Sequence, residues 1–400
     1  MNILVLSQYF WPEKFRINEL VKELGNSKKL DIEVLTAKPS YPTKKIFKNK
    51  KLTNFGKIKV HRVPLYLRNG SMMSKVFNYI TFVIGATLSI LFFNKKKYDI
   101  IFVFQVSPIF SAIPAVIYSK FNKTKIYIWV LDLWPESISV FGFNSKIFFS
   151  MIKKISDYIY SSSDILLAQS YSLVKILKKR YQKKTLFLPN WCEDIFEKKI
   201  NSGLDKKIKM NFNKKKINIF FGGNIGKAQD FDSIIKTIEI INKKSKKFNW
   251  FIFGDGSEKS KIKNYIESKE NIKNVFFYKT VTQSELLFIF KKYSDLLLVS
   301  LSHSKTLKWT IPGKIQFYFQ CKKPIIGMLD GDANLLIKKS NSGFVVKSGD
   351  YLSFSKLLIN LSKSNKKNFL KSKGINGYNF SKKYFNKKKI INELQSNLII

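Results

Sequence analysis

Three glycine-bearing corners and one carboxylate pair are the residues of this chain whose types and spacing could do chemistry. The stretch Thr310 to Asp332, TIPGKIQFYFQCKKPIIGMLDGD, reads as a Pro-Gly turn, a short helix, a Lys-Pro break, an apolar strand and an acidic loop. Pro312 suits a first helical turn, where its missing N–H costs nothing. Gly313 allows a ligand close to the backbone, and Lys314 falls where free helix N–H groups point outward. That combination suits a phosphate; an ordinary loop–helix–strand corner with a solvated lysine fits the same letters.

Two more corners share this logic. Gly222-Gly223-Asn224-Ile225-Gly226-Lys227 follows an apolar run and precedes a helical one, with a spacing that is neither G-x-G-x-x-G nor the P-loop. Gly254-Asp255-Gly256-Ser257-Glu258 repeats the arrangement one unit later, where Ser257 could act only as a helix N-cap. With Lys227 and Lys314, the three corners would converge on one edge of one sheet and could hold a diphosphate. In the first half, Asp132 and Glu136 stand at a strand's C-terminal end beside Trp134 and Pro135. A carboxylate there could take a proton from an acceptor hydroxyl, or Asp132 could cap the next helix. Gln8, Tyr9, Glu13 and Arg16 end the first strand, and Gln105 and Ser107 end another. The triplets Asp230-Phe231-Asp232 and Asp330-Gly331-Asp332 could hold a divalent metal, but each opens a helix-like run, where carboxylates stabilise the helix dipole. No metal is expected.

The elements that must position these residues follow from pattern. Runs such as Asp99 to Phe104 are continuously apolar, as in buried parallel strands. They alternate with helical segments such as Ile147 to Tyr160, which predicts parallel sheets with right-handed crossovers. The alternation pauses at Pro189-Asn190-Trp191, Glu193 to Asn213 is charged and weakly patterned, and it then restarts. The expected organisation is therefore two doubly wound Rossmann-like domains, residues 1–190 and 191–380, facing across a cleft, followed by a basic helix over 381–400.

Composition narrows the partners. The formal charge of +45 over 400 residues is spread along the whole chain and not confined to one arm. No RNA- or DNA-binding signature accompanies it, so an anionic membrane surface is a better expected partner than nucleic acid. A nucleic-acid-binding protein is the non-catalytic alternative. Two distant cysteines make no disulfide framework and point to a reducing compartment. Met1-Asn2 leads directly into the strand-like ILVLS, so no signal peptide is expected. Val76 to Phe93 is uncharged, flanked by Lys75 and Lys95-Lys96-Lys97, and long enough for a minimal span. Asn78, Thr81, Gly85 and Ser89 give it one small, polar face. A helix buried against the sheet or lying in a membrane surface is expected, because a span would part strands that look like members of one sheet.

These motifs together resemble the retaining glycosyltransferases of family 4. Within them, the chain is most similar to the WbuB-type L-fucosamine transferases and related colanic-acid, O-antigen and capsule enzymes. The resemblance rests on QYFWPE (Gln8–Glu13), LDLWPES (Leu131–Ser137), GNIGKAQDFD (Gly223–Asp232), FGDGSE (Phe253–Glu258) and IPGKIQFYFQCKKPIIGMLDGD (Ile311–Asp332). It implies the two-domain GT-B fold, a nucleotide-sugar donor (a UDP-sugar is expected) in the second domain, and an acceptor in the first. It also implies transfer with retention, without a cofactor or bound metal. Gly223, Asn224 and Lys227 would lie near the donor diphosphate, with Gln229 close by. Gly254, Gly256 and Glu258 would line the donor site, Gly313 and Lys314 would meet phosphate, and Asp332 would lie near the sugar. Asp132 would serve as the acceptor-side base, and the last helix would cross back onto the first domain. Phe317 stands where many members carry a glutamate, and Asn224 where a basic residue is common. The implied acceptor is a polyprenyl-diphosphate-linked glycan, at the cytoplasmic face of the cell membrane. A nucleotide-sugar 2-epimerase of the same fold is the enzymatic alternative.

Overall fold

Runs of β-branched and aromatic residues form the strands, and the helices between them return the chain so that neighbouring strands lie parallel. The computed structural model describes residues 1–40, 52–69, 71–93, 96–139, 145–192, 195–363 and 367–399. Lys95 and Glu193, at the edges of two segments read above, lie outside this set. The chain divides into two compact units: Met1–Pro189 with Lys388–Ile400, and Asn190–Lys387.

Unit 1 runs β1 (Asn2–Leu6), α1 (Arg16–Leu24), β2 (Asp31–Ala37), β3 (Asn54–Phe55), β4 (Ile58–Val63), α2 (Met72–Leu88), β5 (Ile100–Gln105), α3 (Ile113–Asn122), β6 (Lys125–Val130), α4 (Glu136–Ser139), α5 (Lys146–Ser161), β7 (Ile165–Ala168), α6 (Tyr171–Tyr181) and β8 (Lys184–Phe187). Its eight-stranded sheet has the order β3-β4-β2-β1-β5-β6-β7-β8. Only the short β3 is antiparallel to its neighbour. The sheet is buried: Leu4, Leu6, Ile101, Val103, Ile128 and Trp129 are all inaccessible.

Unit 2 runs α7 (Ser202–Asn211), β9 (Ile217–Gly222), α8 (Phe231–Lys244), β10 (Phe248–Phe253), α9 (Lys259–Glu267), β11 (Val275–Tyr278), α10 (Gln283–Tyr293), β12 (Leu296–Ser300), α11 (Gly313–Gln320), β13 (Ile325–Met328), α12 (Gly331–Lys339), β14 (Gly343–Val346), α13 (Tyr351–Lys363) and α14 (Lys367–Tyr384). Its sheet, β11-β10-β9-β12-β13-β14, is wholly parallel. Alternate side chains of β9 and β10 feed separate cores. Phe220, Phe251 and Phe253 join one with α10 and α11, while Ile219, Phe221, Trp250 and Ile252 join the other with α8 and α13. The final helix α15 (Lys387–Ile399) lies almost wholly in unit 1, where Gln395 donates to Ser27 Oγ at 2.8 Å.

Local departures from the pattern have physical reasons. The weakly patterned stretch contains α7, N-capped by Asn201 and held by buried Ile208. The acidic loop after β13 is the first turn of α12. The helix expected from Ser381 is interrupted, because Phe385 is buried in unit 2 and its carbonyl accepts the Cys192 N–H at 2.9 Å. The uncharged helix starts earlier than its apolar run. Ser71 caps α2 by accepting the Ser74 N–H, and a π-helical turn, Ser89–Phe93, extends it.

Candidate donor site in unit 2

β9 and β10 end side by side, with Gly222 in register with Phe253, so the two glycine corners leave the sheet together. Their backbones bond directly. Gly223 N–H donates to Phe253 O, Ile225 N–H to Asp255 O and Glu258 N–H to Ile225 O, at 2.8 to 3.0 Å. A Cβ on Gly254 would sit 1.9 Å from the Gly223 carbonyl oxygen, and one on Gly256 2.2 Å from that of Ile225. Both glycines also have positive φ. Their first role is therefore to let two corners pack backbone to backbone.

Lys314, in the first turn of α11, reaches this point. A Cβ on Gly223 would be 3.3 Å from its Nζ, and the Phe221 ring centre is 3.8 Å away. The ammonium is buried without a hydrogen-bond partner among the described residues. Burial pushes its pKa down to about 7. An orphaned cation beside an open glycine corner at the C-terminal edge of a parallel sheet has the donor set for an anion such as a diphosphate. Gly313 is exposed, with nothing within 4 Å of the position a Cβ would take.

The other predicted residues divide by what they touch. Lys227 is exposed at the start of a short turn. Gln229 closes that turn: its amide oxygen accepts from Gly226 N–H at 3.1 Å and from Asn224 Nδ2 at 3.3 Å. Glu258, not Ser257, occupies the N-cap of α9, and neither side chain caps it; Lys259 fastens the corner instead, donating to Gly254 O at 2.6 Å. Asp230 N-caps α8 by accepting the Ser233 N–H, and Asp330 precedes α12, so both acidic triplets open helices. Asp332 is buried in the first turn of α12. Phe317 packs against Phe290, ring centres 6.0 Å apart, beside the apolar core.

Two residues that pattern did not single out complete the site. The Tyr318 hydroxyl accepts the Gly222 N–H at 3.1 Å and donates to Leu298 O at 3.0 Å, so α11 is pinned to the end of β9 and the middle of β12. Ser300 Oγ is buried at the end of β12 without a hydrogen-bond partner among the described residues. An aromatic in a short helix and a serine ending a strand carry no periodic signal.

In unit 1, Asp132 follows β6. Its side chain is crowded by protein atoms though the residue is partly accessible, and burial pushes its pKa up to about 7. No hydrogen bond reaches its carboxylate among the described residues, so it does not cap α4. Gln105 positions this turn by donating to the Asp132 carbonyl at 3.0 Å. Glu136 instead pairs with Arg180 at 2.6 Å. Trp134 Nε1 donates to Ser107 Oγ at 3.1 Å. Glu13 is structural: its carboxylate accepts the N–H groups of Phe10 and Ser40. Gln8 donates to Asn78 Oδ1 on α2 at 2.8 Å, and Arg68 donates to the same oxygen and to the Tyr9 hydroxyl.

With this geometry in hand, the chain can be set beside known proteins. Residues 204–378 match the family of glycosyl transferases group 1. The chain is 23% identical to the probable glycosyltransferase WbjE of Pseudomonas aeruginosa over 241 residues, spanning 58% of each chain. It is 23% identical over 408 residues to an uncharacterized glycosyltransferase of Methanocaldococcus jannaschii, covering 98% of this chain and 97% of that one. Among solved structures, Anabaena HepE in complex with UDP superimposes with a TM-score of 0.68 at 12% identity, over 100% of this chain and 99% of that one. The E. coli trehalose-6-phosphate synthase bound with UDP-2-fluoro glucose gives 0.74 at 12% identity, over 100% and 99%. The fold is thus GT-B, two Rossmann-like α/β domains with parallel sheets, and the part of it that matches a transferase family is residues 204–378.

Proposed function

We propose that the whole chain is a retaining glycosyltransferase. It moves a sugar from a nucleoside-diphosphate sugar, UDP-linked, onto a lipid-linked glycan during surface polysaccharide synthesis. The observation that carries this reading is Lys314, a buried ammonium without a partner against the Gly223 corner. A diphosphate would supply its missing charge and hydrogen bonds. The UDP and UDP-sugar in the HepE and E. coli structures favour a uridine donor. The resemblance to L-fucosamine, O-antigen and capsule transferases favours an N-acetylated deoxyhexosamine and a polyprenyl-diphosphate carrier at the cytoplasmic face of the membrane.

In this reading, Lys314, the Asn224 N–H and Lys227 stabilise negative charge as the diphosphate leaves, without a metal. Donors already held in place by the fold do this without reorganising during the reaction. Asp132, its basicity raised by burial, accepts the proton of the acceptor hydroxyl. Thermal shift against a panel of nucleoside diphosphates and their sugars tests the donor half, because a ligand selective for the native state raises its stability. A shift with UDP and UDP-sugars that Lys314→Ala abolishes is the expected result. No shift with any nucleotide, or an unchanged shift in the variant, overturns the assignment.

A further inference from the structure

Helix α2 is turned inside out for a helix in water. Its buried residues are Ser74, Asn78, Phe82 and Ala86, of which only Phe82 is large and apolar. Its exposed stripe is Met73, Phe77, Ile80, Ile84 and Leu88, at helical spacing. The small face lets the helix approach β4, where a Cβ on Gly85 would be 3.2 Å from Val63 Cβ. The inner face is also bonded, through Asn78 to Gln8, Arg68 and the Tyr66 carbonyl. Helix α5 buries an ordinary apolar face, Ile152, Ile159 and Tyr160 with Ser156, yet it also exposes a second apolar stripe, Ile147, Met151, Ile155 and Tyr158.

The two stripes belong to one face of unit 1. Right-handed crossovers place α2, α3 and α5 on the same side of the sheet, in that order. Contacts agree: α2 packs on α3, and Lys120 at the end of α3 lies over the Tyr158 ring of α5, 5.2 Å from its centre. Phe121, on α3, is 75% exposed. An apolar surface of this kind on a monomer marks an interaction site. Among the described residues, exposed charges on and beside these helices are mostly lysines, Lys75, Lys97, Lys120, Lys123, Lys146 and Lys154, with Asp99 and Asp164 beside their ends, while Asp157 is paired with Lys153.

We infer that α2 and α5 form a two-helix platform that lies in the surface of an anionic bilayer without crossing it. The helix Met72–Phe92 is long and apolar enough to span, but it connects β4 and β5 of one intact sheet, so both its ends lie on one side. An apolar stripe with a lysine rim is the pattern of an interfacial helix. Because Gln8 holds the inner face of α2, the platform also fixes the loop after β1, on the acceptor side in the proposed function. The inference deepens the membrane part of that reading and needs neither donor nor transfer.

The test is flotation of the full chain with vesicles of phosphatidylcholine, alone or mixed with phosphatidylglycerol. The wild type should float with the anionic vesicles. Phe77→Asp with Ile84→Asp, and separately Met151→Asp with Ile155→Asp, should each lower partitioning about tenfold or more. Melting temperature and the nucleoside-diphosphate thermal shift should stay unchanged in both. Lys146→Glu with Lys154→Glu should weaken binding to anionic vesicles. No flotation of the wild type, or equal flotation of the α5 variant, overturns the platform. Equal binding to both lipid mixtures overturns its anionic character. A dimer in light scattering that Phe77→Asp dissolves assigns the face to a second copy of the chain instead.

Discussion

The Lys314 ammonium lies 3.8 Å from the centre of the Phe221 ring and has no hydrogen-bond acceptor among the described residues. A ring face attracts a cation but replaces only part of its lost hydration. The free protein therefore holds a destabilising group in place, as a preformed anion site does. Replacing it by an apolar side chain should separate stability from binding. Lys314→Met is expected to leave the fold as stable or more stable at neutral pH. Nucleoside-diphosphate affinity should fall about 10- to 100-fold, the ~1.5–3 kcal/mol of a hydrogen bond to a charged group. Urea unfolding and titration calorimetry measure the two effects.

The same lysine predicts a pH dependence. Its folded pKa is about 7 against the ordinary lysine value of 10.5, so the native state holds fewer protons than the unfolded chain between those values. Its contribution to stability is present above pH 10.5 and is lost as pH falls through 7. The stability gained by Lys314→Met should accordingly be greatest below pH 7 and vanish in alkali. Binding a diphosphate restores the charge, so proton uptake should accompany binding at pH above 7, in calorimetry across buffers of different ionisation enthalpy, and disappear in the variant.

Asp132 shows the opposite sign. Its pKa rises from 3.8 to about 7, so its contribution to stability is present below 3.8 and is lost as pH rises through 7. Asp132→Asn should be more stable than the wild type above pH 7, with the gap closing below 3.8. As the acceptor-side base, its loss should lower kcat about 10²- to 10⁴-fold. Donor KM should change little; the reverse split, with KM moved and kcat intact, returns Asp132 to a structural role.

Two glycines of the donor corner should respond differently to the same substitution. Gly254→Ala drives a Cβ to 1.9 Å from the Gly223 carbonyl at φ +138°, and should cost about 2–4 kcal/mol in urea unfolding. Gly313→Ala meets nothing within 4 Å and should leave stability unchanged. A weaker nucleoside-diphosphate thermal shift in the stable Gly313→Ala variant would mark that open space as ligand space.

Strand runs such as IIFVF at β5 and LLLVS at β12 were legible because continuous apolarity and β-branching report buried parallel strands directly. Helix boundaries were less so. The start of α2 depends on Ser71 capping a turn outside the apolar run, and the break before α15 on the burial of Phe385. At the donor corner, the glycines and Lys314 stood out by type and position. Tyr318 and Ser300 did not, because their importance comes from which strand ends they meet.

The order of residues by itself determined two successive α/β units, the glycine corners at strand ends and the lysine that opens α11. These are local consequences of side-chain period, backbone freedom at glycine and the free N–H groups of a helix start. Only the tertiary structure decided that Gly254 and Gly256 serve the first corner's backbone, and that Lys314 is left without a partner. It alone decided which side of α2 faces outward. The apolar side of that helix would be buried in a protein that met only water. Here Gln8, Arg68 and the narrow approach to Val63 hold the small, polar side inward, and a stripe of large apolar side chains is left facing out.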